Sequence, residues 1–113
     1  MAFEAEKRDA MWMLVALEDG AKGLDDLRAL YEAADPVLVH LIFAWLRVRY
    51  RGHSAAEGVY GRIAALCQAS RTIDRKRQEG SRDMLSTWFE ESYDLRDLDR
   101  DTFIDVLVDK LEG

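Results

Sequence analysis

Cysteine occurs once in the 113 residues, and so does proline. A single thiol, Cys67, cannot close an intramolecular disulfide, so the cystine-stapled class of small secreted domains is excluded. One proline and seven glycines leave little material for turns, which argues for helices over a turn-rich β architecture. Two histidines and one cysteine supply no ligand set at zinc spacing; no metal and no cofactor is expected. No apolar run approaches the roughly 20 residues of a membrane-spanning helix, since the most apolar stretch, Val37 to Leu46, is interrupted by His40. The first residues, Met1 to Asp9, mix both charge signs and enter no apolar signal core. A cytoplasmic, membrane-free protein is the expectation.

What the chain has is the composition of a globular protein, 49% hydrophobic and 34% charged, at a length suited to one domain over residues 1–113. Helix signals recur along it. Phe3, Ala10, Met11, Leu14 and Leu17 fall at helical intervals, and Gly20 follows as a stop. A short helix is read from Leu24 to about Ala34, with Leu24, Leu27, Leu30 and Tyr31 as its apolar stripe. Asp35-Pro36 then reads as an N-cap with proline at the first helical position, where its missing N–H costs nothing.

The segment from Pro36 to Arg51 is apolar around almost its whole circumference, through Val37, Leu38, Val39, Leu41, Ile42, Phe43, Ala44, Trp45, Leu46 and Val48. Such a helix has to be enclosed by others. His40, Arg47 and Arg51, seven and four positions apart, share its one polar stripe. Gly52 is read as its stop. Ser54-Ala-Ala-Glu57 has the form of a capping box, opening a long helix toward Gln78 with a break allowed near Ser70. Ser81 caps a helix carrying Leu85, Trp88 and Phe89, and the last helix starts after Asp99 or Asp101 with Ile104, Leu107, Val108 and Leu111 inward. The expected fold is all-α: a compact bundle of five or six helices around a buried central helix at about 36–51.

Charge is segregated. Residues 1–46 carry a net −5, residues 47–82 a net +6 and residues 83–113 a net −7, for −6 overall. Two readings of the basic middle stand side by side. His40, Arg47, Arg51, Arg62, Arg71, Arg75, Lys76 and Arg77 are candidate contacts for an anion or nucleic acid, because guanidinium forks suit phosphate. Equally, the acidic end helices have to pack somewhere, and the basic middle is the complementary surface within the same chain. Trp88, Phe89 and Tyr93 form an aromatic cluster that suits a partner interface, and also suits a core.

Candidate chemistry thins out under inspection. From Asp97, the calcium-loop template finds aspartate at its first three ligand positions, but Thr102 stands where glycine is required and Val108 where a bidentate glutamate is required. No Gly-Lys-Ser/Thr follows Gly52, so there is no phosphate loop. Gly58 and Gly61, inside a helical stretch, imply a close helix approach, and Gly58 is expected to face the central helix. Cys67 has no neighbour that makes it a nucleophile, and no catalytic set is assigned. The function expected is that of a non-enzymatic helical protein–protein interaction module (an adaptor, regulator or immunity-type binder), as a homodimer or with another protein. The alternative is nucleic-acid or phosphate-ligand binding through residues 47–82.

Overall fold

Proline at the first helical position, with an aspartate before it, starts the central helix where the sequence places it. Asp35 is extended (φ −65°, ψ 140°) and its Oδ1 accepts the Val37 amide at 2.8 Å, which satisfies one of the orphan donors of the first turn. The computed structural model describes residues 4–20, 23–80 and 97–112, with side chains described through Asp109. Among these residues there are six helices and no strand: α1 (Glu4–Asp19), α2 (Leu24–Ala33), α3 (Pro36–Arg49), α4 (Ala56–Ala69), α5 (Arg71–Gly80) and α6 (Arg100–Glu112). The helix expected from Ser81, with Trp88, Phe89 and Tyr93, lies outside the described residues. The fold is an all-α bundle around α3, with a Cα radius of gyration of 13.0 Å, that of a compactly folded chain of about 100 residues.

Leu38, Val39, Leu41, Ile42, Phe43, Trp45 and Leu46 of α3 are all buried. They meet Met13, Leu14 and Leu17 of α1, Leu27 and Tyr31 of α2, Val59, Ile63 and Leu66 of α4, Ile73 of α5, and Phe103, Ile104, Leu107 and Val108 of α6 in one core. Trp45 stacks on Phe103, ring centroids 4.7 Å apart and planes 6° off parallel, and Tyr31 lies against Phe43 at 5.3 Å. The half-open side of α3 is the stripe of His40, Ala44 and Arg47. Arg51 is not on that helix: α3 ends at Arg49 with Tyr50 as its C-cap, so Arg51 sits in the following turn.

Three other local expectations give way to tertiary structure. Ser54 does not form a capping box; the Ala55 amide donates to His53 Nδ1 at 3.0 Å, and α4 starts at Ala56 without a side-chain cap. The long helix does break at Ser70, where the sequence allowed it: the residue turns extended (φ −145°, ψ 115°) and its buried Oγ accepts the Ile73 amide at 3.3 Å, so that it caps α5. The close helix approach is at Gly80, not Gly58. A Cβ at Gly80 would lie 2.3 Å from the Pro36 carbonyl oxygen and 2.6 Å from His40 Cβ, whereas Gly58 is exposed and would meet only the end of Arg62. Leu24, placed by periodicity on the apolar stripe of α2, is 44% exposed in the first turn of that helix.

Candidate interaction surface

Neither α1 nor α2 has a basic residue in its last turn, so both leave their C-terminal carbonyls and negative dipole ends without local compensation. The basic middle supplies it from a distance. Arg62 reaches from α4 to the end of α1, where Nη1 donates to the carbonyls of Leu17 at 2.7 Å and Glu18 at 3.1 Å. Gly20, at φ +69°, keeps that path open: a Cβ there would stand 2.8 Å from the Arg62 guanidinium. Lys76 reaches from α5 to the end of α2 and donates to the carbonyls of Glu32 and, at 2.6 Å, of Ala34. Arg49 Nη1 donates to the Leu98 carbonyl at 2.9 Å and its guanidinium lies 5.0 Å over the Trp45 ring.

Glu18, whose side chain is only 4% exposed, gathers another part of the positive charge. Arg100 Nε stands 2.9 Å from its Oε1, without the alignment of a hydrogen bond. Arg49 Nε is 4.0 Å from Oε2, which also accepts the Tyr50 hydroxyl. Burial, and the carboxylate it donates to, push the Tyr50 phenol up to about 12, since ionising it would set a second negative charge beside Glu18. These groups form a charged tie between α1, α3 and α6.

The remaining sequence candidates are dispersed. His40 lies half-buried beside Gly80, and Arg51 is exposed in the turn after α3. Arg75 pairs with Glu79 at 3.6 Å in the open, and Arg71 is exposed at the start of α5. Arg47 and Arg77 do come together, in a hollow of about 240 Å³ that Tyr60, Ile63, Ala64, Cys67 and Gln68 complete. Asp74 holds Arg77 at 2.8 Å, which halves the positive charge available there. Burial pushes the Cys67 thiol up, against a reactive thiolate. Trp88, Phe89 and Tyr93 lie outside the described residues.

The surface that sequence reasoning missed lies between α1 and α2. Two hollows share Asp9 and Leu30. One, of about 240 Å³, has a floor of Ala10, Met13, Leu30, Leu38, Leu107 and Val108. The other, of about 430 Å³, opens beside Trp12, Asp26 and Ala29. Trp12 keeps 42% of its surface exposed. Asp26, Ala29, Leu30 and Ala33 follow one another at helical spacing on α2, so two exposed alanines form its lip. Glu6, Asp9, Asp26 and Asp35 rim the trough against a single base, Arg8. Asp35 is spent on its cap, while Glu6, Asp9 and Asp26 are exposed and make no ion pair among the described residues. The available signal was Trp12 opposite an alanine-lined, acidic stripe.

Among the described residues no group of three or more His, Cys, Asp or Glu side chains is placed to hold a metal, and no helix is long and apolar enough to cross a membrane. Compared with known proteins, the chain matches no family model, and no curated protein or solved structure is significantly similar to it.

Proposed function

We propose that the protein is a non-enzymatic helical interaction module, of the adaptor, regulator or immunity type, that seats a partner protein in the trough between α1 and α2. One observation carries this reading. The exposed Trp12, Ala29 and Ala33 and the half-buried Leu30 line an apolar trough beside Glu6, Asp9 and Asp26, which make no ion pair among the described residues, while most of the described basic side chains are turned to intramolecular tasks. An apolar centre inside a polar rim is the anatomy of a protein interface. A cytoplasmic setting belongs to the same proposal, and a homodimer is the form it takes if the partner is a second copy. A photo-crosslinking residue at position 29, in the cells that make the protein, is expected to give a discrete adduct that the same residue at position 69 does not. Equal labelling from both positions, or from neither, contradicts the reading. An adduct of twice the chain's mass identifies the partner as a second copy.

A second reading, an anion or nucleic-acid site, rests on Arg47 and Arg77 facing one hollow, with Arg71 exposed nearby on α5. It requires affinity for short DNA or RNA that falls steeply with salt and that the pair Arg47→Glu and Arg71→Glu abolishes without loss of helicity. Absence of any complex at low salt removes it.

A further inference from the structure

We infer that the occupant of the α1–α2 trough is a basic amphipathic helix of a different protein, an inference that rests on the interaction-module reading. Three features select that chemistry. The lip formed by Ala29 and Ala33 is low and exposed, so a helix backbone can approach closely. The apolar surface is divided into two hollows that share Asp9 and Leu30. Such a surface receives separate anchoring side chains at i, i+3/i+4 and i+7 in helix-in-groove recognition. The trough runs along α2, whose 10 residues span roughly 15 Å at 1.5 Å per residue, room for about three turns of a partner helix. The rim then sets the sign of the partner's polar face: Glu6, Asp9 and Asp26 are exposed carboxylates without an ion pair among the described residues, and a lysine or arginine flank meets them.

The same charges disfavour the occupants that the chain itself offers. The exposed basic stripe of α5, Arg71 and Arg75 followed by Gln78 and Glu79, contains no apolar anchor, so that stripe of a second copy brings charge without a side chain for the hollows. Residues 81–96 hold aromatic anchors but carry four carboxylates against two arginines, the sign of the rim itself. An anionic membrane surface is repelled for that reason too.

The experiment uses the intact chain and three helical peptides of about four turns, roughly 14 residues at 3.6 per turn. The first places leucines at helical spacing among lysines, the second replaces the lysines by glutamates, and the third replaces the leucines by serines. Titration calorimetry is expected to show the leucine–lysine peptide binding at least about tenfold tighter than either control, consistent with apolar anchors supplying most of the binding energy. Ala29→Arg, an exposed position that fills the lip and reverses its charge, is expected to weaken binding by about tenfold or more. The matched Ala69→Arg, on the far end of α4, leaves it unchanged. Equal affinity for the serine–lysine peptide, or no effect of Ala29→Arg, overturns the inference. Should light scattering show a dimer that Ala29→Arg dissociates, the occupant is a second copy and this inference falls while the module stands. If neither a peptide nor a second copy responds to Ala29→Arg, both fall.

Discussion

Replacing Gly80 by alanine tests the seat of the central helix most sharply, because the added methyl has nowhere to go. Gly80 is buried at the end of α5, and its Cβ would stand 2.3 Å from the Pro36 carbonyl oxygen, 3.0 Å from the carbonyl carbon and 2.6 Å from His40 Cβ. Two of these are backbone atoms of the α2–α3 junction, fixed by the Asp35 cap, so no flexible side chain can yield. Overpacking of this kind costs about 1–3 kcal/mol. Alanine's better helix propensity returns at most about 1 kcal/mol at a helix end. A net loss of roughly 1–2 kcal/mol corresponds to a fall in Tm of roughly 4–8 °C for a chain of this size. Thermal unfolding followed by circular dichroism measures it. Gly61→Ala is the control: nothing lies within 4 Å of a Cβ there, so the same exchange in α4 is expected to raise Tm by the propensity difference alone. If Gly80→Ala matches or exceeds the parent Tm, α5 does not close on α3 as described.

Three further expectations follow from groups already placed. Arg62→Ala removes the one nitrogen that donates to two carbonyls at the end of α1 and should cost about 1–2 kcal/mol, whereas Arg75→Ala, whose pair with Glu79 is solvated, should stay within about 0.5 kcal/mol in the same denaturant titration. Tyr31→Phe removes a fully buried hydroxyl that has no hydrogen-bond partner among the described residues and should hold or raise stability, by up to about 1–3 kcal/mol; a clear loss in the denaturation midpoint refutes the assignment. Both Tyr31 and Tyr50 are raised above the ordinary 10, Tyr50 to about 12. The folded state holds those protons more tightly than the unfolded one, so their contribution is intact below pH 10 and is lost as pH rises through the folded values. Tyr50→Phe should flatten the decline of Tm between pH 10 and about 12, and an unchanged slope contradicts it.

The elements legible in the sequence are those whose signals are local. Asp35-Pro36, the glycine after Asp19 and the aspartate before Arg100 each fix a helix end through their own backbone neighbours; Asp99 Oδ1 accepts the Thr102 amide at 2.7 Å, which holds its carboxyl below the ordinary range. The all-round apolar pattern of Pro36 to Val48 forced burial whatever surrounded it. What escaped was set by residues far apart in sequence. Ser54 caps nothing because the chain turns through His53, whose ring accepts the Ala55 amide, and α4 starts uncapped; Phe103 packs into the core against the flat face of Trp45. Arg62 and Lys76 looked like an anion face and instead close helix ends 44 residues away. The charge complementarity within the chain was readable from composition, but which arginine meets which carbonyl was not. That matters for testing: Arg75, Lys76 and Arg77 changed together mix a surface pair with the cap of α2 and cannot isolate a binding role.

The most direct measurement is a map of where the leucine–lysine peptide perturbs the amide and indole N–H resonances of the intact protein. The account predicts shifts confined to the Trp12 indole and the amides of Asp9, Asp26, Ala29 and Ala33, with the amides of α4 and α5 unmoved. Shifts centred on Arg47, Tyr60 and Arg77 would contradict it, and would place the working surface on the opposite side of the central helix.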